Sequence, residues 1–413
     1  MPGPQAPAHS KSAELETSFG YHGWRVVIAC FATAICAWGA GFYGHSVFIA
    51  HLRAEHGWSP TLVSSATTMY FLASAVLVAF VDDAMRRFGP RAVLLTGLMA
   101  LAASTVLLVH IDSVWQLFAA YLLMAVGWAG AALGAIVNVL GLWFDERRGM
   151  AISQALHGAS AGGIIFSVVL LALADRVGFD VALYLIVTTV FAIAISLVCL
   201  WVDRNPDTPS SSASSRPLFA RGEKLAALSS ASFWSIALPF ALGVAVQVGV
   251  IAHLVSVLEP RMGRAAAGSA LALVSVSAFV GRFAFSFVVD RLASRSATSI
   301  LLFVQAVSLG ALSITDSPVL IYMACIGFGI GVGNLITLPA IVIQRECEAA
   351  HFGLVSGLVT ATMGFAWALT PVMIGLLRDV SGDYRDPLLI VCAMDVMAAL
   401  LAFWRPNRRR AEP

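Results

Sequence analysis

An arginine stands inside a stretch of the sequence that is otherwise apolar. Arg282 follows the run AAAGSALALVSVSAFVG and precedes FAFSFVV, so hydropathy places it within a helix that crosses a membrane. A charged side chain at the centre of a bilayer helix costs about 2.5–3.5 kcal/mol on insertion scales. A guanidinium there offers a planar, bidentate site for a carboxylate. We therefore predict that Arg282 binds an anionic substrate; the alternative is a structural arginine neutralised by Asp290 or another acid.

Other ionisable side chains within apolar runs could carry protons. Imidazole titrates near pH 6.5, so a histidine can exchange a proton between compartments of different pH. The candidate proton carriers are His45, His157, His253 and Asp395. Hydrogen-bonded packing is the alternative for each histidine, and a structural role is the alternative for the aspartate.

Aromatic and amide side chains could complete a cavity around the bound anion. The candidate substrate-binding residues besides Arg282 are His253, Tyr43, Tyr70, Asn138, Gln247 and Asn334. Hydrogen bonds between helices are the alternative role of the amides. The glycine-rich segments 127–134, 158–163 and 327–334 do not follow strands, so they predict close helix packing and not phosphate binding.

The composition requires that membrane helices position these residues. Of the 413 residues, 59% are hydrophobic and 12% are charged, whereas a soluble domain carries about 25% charged residues. The six cysteines have no metal-ligand spacing, and no nucleophile–base pattern is evident. We predict a polytopic membrane protein that is not an enzyme and that has no metal or other cofactor.

Twelve apolar stretches are long enough to cross a bilayer, which takes about 20 residues. They cover residues 24–49, 60–81, 92–110, 115–140, 150–174, 181–202, 233–258, 267–290, 298–315, 318–343, 354–377 and 387–404. Two sequence similarities recur at an offset of 204 residues: DDAMRRFGPR from Asp82 with SFVVDRLASR from Ser286, and GMAISQAL from Gly149 with GLVSGLVT from Gly353. The repeat indicates a duplicated six-helix unit, which is typical of transporters.

The predicted fold is an all-α integral membrane protein with twelve transmembrane helices in two pseudo-symmetric halves. The halves are 23–202 and 233–404, joined by a cytoplasmic linker at 203–232 and flanked by a disordered tail at 1–22 and a basic tail at 405–413. Eighteen lysines and arginines fall in the tails and on one face, against six on the other. The positive-inside rule then predicts cytoplasmic termini in a plasma (inner) membrane.

The sequence resembles the major facilitator superfamily, and within it the monocarboxylate porters and the bacterial oxalate–formate-antiporter-like transporters, over about 24–404. DDAMRRFGPR is similar to the family loop G-x-x-x-D-R-x-G-x-R between helices 2 and 3. HGWRVV, LWFDERRGMAISQALHGASAGG and IGLLRDVSGDYRD resemble segments of that branch, and AFVGRF places Arg282 where monocarboxylate porters carry a substrate arginine. The resemblance implies a gate at the loop and at its second copy, formed by Asp82, Asp83, Arg87, Arg91, Asp290 and Arg291.

The sequence departs from the branch where protons are concerned. Ala278 stands where monocarboxylate porters carry an acid one turn before the arginine, and Gly44 or His45 stands where they carry a lysine. In the loop, Asp82 replaces a glycine and Arg86 replaces the acid. The proton-coupling residues of the branch are thus not the ones present here.

The resemblance implies a secondary active transporter that moves small organic anions, monocarboxylates above all, by alternating access and together with protons. The expected partners are the organic anion, protons and the lipid bilayer, with no nucleic acid; the basic tail predicts contact with lipid headgroups. The alternatives are anion exchange of the oxalate–formate type and export of hydrophobic compounds, which needs no buried cation. Outside transport, the alternative is a sensor of extracellular acids.

Overall fold

The computed structural model describes residues 16, 18, 20–144, 147–203, 221–286, 293–335, 337–347 and 351–404. In this part of the chain the regular structure is helical throughout. The twelve predicted membrane helices are present as α1 His22–His56, α2 Pro60–Val78, α3 Pro90–His110, α4 Val114–Leu140, α5 Arg148–Val177, α6 Phe179–Trp201, α7 Ala231–Met262, α8 Arg264–Ser286, α9 Ser294–Ile314, α10 Pro318–Leu335, α11 Phe352–Ser381 and α12 Arg385–Leu401. Eleven are long and apolar enough to cross a bilayer, and α12 has 17 residues.

Three short helices lie between the spans: Val81–Phe88, Arg221–Ser229 and Leu338–Glu346. The first contains the charged loop that the sequence placed after the second span. Its two buried residues, Val81 and Met85, are one helical turn apart, while the charged side chains lie on the opposite face. The predicted tails and most of the linker lie outside the described residues.

Two compact units are formed by the described residues. One contains those of Met1–Phe42 and Ala73–Ala213, and the other those of Tyr43–Leu72 and Ser214–Pro413. In the first unit α1 packs on α5 and α6, and α3 packs on α4. In the second, α7 packs on α11, α8 on α10, and α9 on α12, and the later part of α1 packs on α7.

Glycines allow the backbones of α1 and α5 to touch in the first unit. A Cβ added to Gly158 would lie 2.1 Å from the carbonyl oxygen of Phe31, and one on Gly162 would lie 2.4 Å from that of Ile35. Both distances are shorter than any real contact, so only glycine fits at these positions. The close packing predicted for the segment 158–163 is therefore confirmed.

The two crossing helices each contain a π-helical turn, Gly39–Tyr43 in α1 and Ile165–Val169 in α5. The two turns face each other, because a Cβ on Gly39 would lie 2.4 Å from a ring carbon of Phe166. A π turn adds one residue to the hydrogen-bonded ring and is common at functional sites. Both turns lie inside helices that hydropathy predicts as uninterrupted.

Replacing Gly158 by alanine should destabilise the first unit, because the new methyl group meets the Phe31 carbonyl. Overpacking of this kind costs about 1–3 kcal/mol, so we expect the midpoint of thermal unfolding in detergent to fall by several degrees. The matched control is Gly149→Ala in the same helix, where nothing lies within 4 Å of the added atom. An equal loss of stability in both variants would contradict the close approach.

Candidate functional site

Arg282 lies near the C-terminal end of α8 and is anchored by one backbone oxygen. Its Nε donates a 2.9 Å hydrogen bond to the carbonyl of Gly333 on α10. The bond is possible because α8 and α10 touch: a Cβ on Gly333 would lie 2.0 Å from the carbonyl oxygen of Ala278. Ala278 is itself buried. Ala278, whose position corresponds to an acid of the monocarboxylate porters that the sequence resembles, thus lies in the helix crossing that anchors the arginine.

No carboxylate in the described ranges forms an ion pair with Arg282, although the side chain is more than half covered. The guanidinium has five N–H donors, and the bond to Gly333 uses the one on Nε. The two terminal nitrogens, which form the face that binds a carboxylate in a bidentate manner, are not used by that bond. Asp290 and Arg291, the predicted neutralising acid and its neighbour, lie outside the described residues.

The structure places Tyr43, a predicted substrate-binding residue, near Arg282. Tyr43 ends the π turn of α1 and is buried. Its hydroxyl hydrogen-bonds the side chain of Ser275 on α8 and lies within electrostatic range of the Arg282 guanidinium. A guanidinium and two hydroxyls thus belong to one cluster, which we call the arginine cluster: Tyr43, Ser275 and Arg282.

Asn334 directly follows Gly333, whose carbonyl anchors Arg282. Its amide nitrogen donates to the carbonyl of Ile330 at 2.9 Å, and its Oδ1 is buried without a hydrogen-bond partner among the described residues.

Tyr70 and His45 form an aromatic group with ring centroids 4.8 Å apart and with the ring centroid of Phe71 at 5.6 Å from that of the histidine. Asn138 and His157, on α4 and α5, belong to the other unit.

His253 on α7 takes part in a chain of hydrogen bonds that includes two residues absent from the sequence prediction. Arg53 Nη1 donates to the Tyr384 hydroxyl at 3.0 Å, and that hydroxyl lies 3.2 Å from His253 Nδ1. His253 Nε2 lies 3.0 Å from the carbonyl oxygen of Pro371. Because a carbonyl only accepts, Nε2 carries a hydrogen, and the neutral ring accepts the Tyr384 proton at Nδ1. Burial raises the pKa of Tyr384, which keeps the hydroxyl protonated as a donor.

Gln247 and Asp395 lie in a buried network in the middle of the second unit. Gln247 Nε2 donates to Gln305 Oε1 at 2.8 Å, and Gln305 Nε2 donates to Asp395 Oδ2 at 2.7 Å. The other oxygen of Asp395 has no hydrogen-bond partner within the described ranges. The network joins α7, α9 and α12. It therefore gives Gln247 and Asp395 the structural role that was the alternative to substrate binding and proton transfer.

Polar bonds hold the later part of α1 and the start of α2 on α7 and α11 within the second unit. Ser46 Oγ accepts from the backbone nitrogen of Val255 at 2.7 Å, and Asp379 Oδ2 accepts from the Thr61 nitrogen at 2.9 Å. The carboxylate therefore sits at the N-terminus of α2, where the helix dipole favours a negative charge. We call the region that contains these contacts of Ser46 and Thr61 the distal end, because it lies toward the end of α1 that is far from its first residue.

The predicted gate residues of the first copy form local contacts. Asp82 pairs with Arg86 four residues later on the short helix, and this bond raises the pKa of Arg86. Arg87 lies 5.3 Å from the ring of Phe88, and Arg91 Nη1 lies 3.3 Å from Asp203 Oδ1. Asp83 is exposed. Asp82, which replaces a glycine of the family loop, thus pairs with Arg86, which replaces the acid of that loop.

Arg295, which occupies the position of Arg91 in the second copy of the repeat, is buried and bonds several helices. The sequence prediction missed this role. Its Nε and Nη2 each bind a carboxylate oxygen of Glu346 at 2.7 Å. Its Nη1 donates to the carbonyls of Ser235 at 3.1 Å and Trp404 at 2.8 Å. The side chain is 6% exposed and joins α7, α9, the end of α12 and the helix Leu338–Glu346. The offset of 204 was the signal that could have identified it.

Comparison with known proteins gives a consistent result. Residues 29–371 match the family model described as Major Facilitator Superfamily. "MFS-type transporter 1" from Ophiocordyceps sp. (strain BCC 1869) is 22% identical over 390 residues, which are 92% of this chain and 84% of that protein. "Uncharacterized MFS-type transporter YcxA" from Bacillus subtilis (strain 168) is 23% identical and covers 83% of this chain and 84% of its own length.

Two solved structures share the fold. The nucleoside transporter NupG superposes with a TM-score of 0.76 at 12% identity, over 93% of this chain and 100% of that one. A bacterial homolog to the human lysosomal transporter Spinster, in an inward-facing and unoccupied conformation, superposes with a TM-score of 0.68 at 14% identity, over 94% and 100%. At these identities the likeness concerns the fold alone.

Removing either partner of the Arg295–Glu346 pair should destabilise the protein strongly. Breaking a buried ion pair leaves an uncompensated charge and costs about 3–5 kcal/mol. We expect Glu346→Gln to lower the thermal unfolding midpoint far more than Asp203→Asn, since Arg91 and Asp203 are 42% and 69% exposed. Thermal unfolding in detergent measures both, and equal effects in the two repeat-related pairs would refute this asymmetry.

Proposed function

Since the chain belongs to the major facilitator superfamily and is a membrane transporter, we propose that its substrates are small organic anions, monocarboxylates above all. It moves them across the plasma membrane by alternating access, together with protons. The observation that carries this proposal is the environment of Arg282: an apolar helix, one backbone anchor and no ion pair in the described part of the chain.

The arginine cluster has the chemistry that a carboxylate requires. Gly333 fixes the guanidinium through Nε, so that Nη1 and Nη2 are available together. A carboxylate binds both nitrogens in one plane, and each charge-assisted bond is worth about 1.5–3 kcal/mol. The Tyr43 hydroxyl lies within electrostatic range of the guanidinium and is hydrogen-bonded to Ser275, so it can bind a second polar group of the substrate. One guanidinium matches one carboxylate, which favours a monoanion.

His253 is the proposed proton carrier. Its neutral ring accepts at Nδ1 and donates at Nε2, so a second proton can be added only at Nδ1. Protonation there requires the Tyr384 hydroxyl to turn its hydrogen away from the ring. Arg53 and Asp379 are the charged groups that act on the ring. A proton on His253 would therefore rearrange the bonds that join α1, α7 and α11 at the distal end.

The charge bias of the sequence supports cytoplasmic termini and an extracytoplasmic distal end. With this orientation, the bonds of Ser46 and Thr61 to α7 and α11 close the outer side. Alternating access then includes the breaking of these bonds as the outer side opens. Proton transfer at His253 is placed where it can influence that step.

Replacing Arg282 by glutamine should strongly impair carboxylate transport. We expect uptake of one or more acids from a panel of mono- and dicarboxylates into proteoliposomes, and a fall in kcat/KM of roughly 10- to 100-fold or more in the variant, as the loss of charge-assisted bonds implies. Arg282→Lys, which keeps the charge but loses the fork, should retain intermediate activity. Arg385→Gln, an exposed arginine, is the matched control.

Two results would contradict the proposal. One is transport of hydrophobic compounds that is the same in wild type and Arg282→Gln, which would indicate an exporter. The other is the absence of carboxylate movement both in empty vesicles and in vesicles preloaded with an anion. Exchange in preloaded vesicles alone would retain the anion substrate and replace symport by antiport.

Replacing His253 by glutamine should separate anion movement from proton movement. Glutamine can donate to the Pro371 carbonyl but does not titrate, so we expect carboxylate counterflow to remain while accumulation driven by an acid exterior is lost. A pH-sensitive dye inside the vesicles reports proton entry. His56→Gln, at the end of α1 where the ring stacks on Trp58, is the control; proton-driven accumulation in His253→Gln would exclude His253 as the carrier.

A further inference from the structure

A partly open cavity of about 460 Å³ lies at the distal end of the second unit, apart from the arginine cluster. Segments of α1, α7, α11 and the turn between α11 and α12 line it. The charged and phenolic lining residues are Arg53, Glu259, Arg261, Arg378, Asp383 and Tyr384. The volume lies within the usual range of small-molecule sites, about 300–1,000 Å³.

The residues that line the cavity include one more cation than acid. Glu259 is bound by Arg264 at 3.0 Å. Arg261 is turned toward the backbone carbonyls of Leu312 and Thr315 and toward Asp316 at 3.8 Å. Arg53 has no acidic partner in the described part of the chain, and Arg378 has only a long contact of 3.5 Å with Asp379. Three arginines against two acids leave the lining with one net positive charge.

Arg53 and Arg378 both lie close to the ring of Tyr384. The guanidinium carbon of each lies 6.0 Å from the centroid of the Tyr384 ring. The Nε of each is buried without a hydrogen-bond partner among the described residues. An unsatisfied buried donor costs free energy, so neither guanidinium has its full set of acceptors within the described residues.

We propose that this cavity is a second anion site, which binds a monovalent carboxylate between Arg53 and Arg378. A single negative charge neutralises the lining, and a planar carboxylate suits the two guanidinium forks. The inference rests on the proposed function in one respect, namely that the ligand is of the class proposed for transport. The site would collect the anion at the distal end before the path to Arg282 opens.

Binding at this site connects to the hydrogen-bond chain of His253. Arg53 Nη1 donates to the Tyr384 hydroxyl, and the same hydroxyl faces His253 Nδ1. A carboxylate on Arg53 competes with Tyr384 for Nη1. The anion therefore also changes the bond that joins α1 to the turn after α11.

Acetate is the probe for the test, and saturation-transfer NMR of its methyl group is the readout on the full-length protein in detergent. The Arg282→Gln background removes the proposed central site. We expect it to retain saturable acetate binding, and we expect the double variant Arg282→Gln/Arg53→Gln to bind at least tenfold more weakly. Arg282→Gln/Arg385→Gln is the matched control, since Arg385 neighbours Tyr384 but does not line the cavity.

The outcomes separate this site from the proposed function. Loss of all saturable binding in Arg282→Gln, or equal binding in the Arg53 and Arg385 double variants, would overturn the distal site. Saturation by inorganic phosphate and not by acetate would overturn the carboxylate class. If the distal site binds acetate while Arg282→Gln leaves transport unchanged, the distal site stands and the role of Arg282 fails. Arg53→Lys, with the charge kept, serves as a folded variant and should bind with intermediate affinity.

Discussion

A guanidinium inside an apolar helix is stable only if the surrounding backbone provides for it, and this constraint governs the second unit. Gly333 supplies the carbonyl that anchors Arg282, and it can do so because the backbones of α8 and α10 are in contact. Ala278 is buried in the same crossing and carries no charge. Since no carboxylate among the described residues pairs with Arg282, the counter-charge has to come from elsewhere.

The two halves of the repeat use related positions in different ways. Arg91 and Arg295 are 204 residues apart. The first lies in an exposed contact with Asp203, while the second is buried in a fork with Glu346 and bound to the carbonyls of neighbouring segments. A duplicated sequence thus keeps a residue type while its energetic role diverges. The buried copy fixes the helix ends of its unit, and the exposed copy is free to change partners at little cost.

Hydropathy and the repeat were sufficient to predict the fold and the presence of Arg282 in a membrane helix, because both depend on patterns that extend over whole helices. That Tyr43 lies near Arg282 was not predicted, because hydropathy does not tell which spans are neighbours. Arg53 and Tyr384 were not predicted. Each lies at a helix end, where charged and aromatic residues are ordinary, and only the fold shows that they meet at His253. Gln305 was missed for a similar reason, because an amide in a span has many possible partners.

The π turn in α1 has a consequence for how positions along this helix are counted. An α-helix places successive side chains about 100° apart, and one π turn shifts every later residue by about one position relative to that spacing. The segment before Gly39 therefore has a different helical phase from the segment after Tyr43. A regular α-helical count carried through the turn therefore assigns the later residues to the wrong face of the helix. Because of this change of phase, a comparison with another helix has to be aligned separately for the segment before the turn and the segment after it.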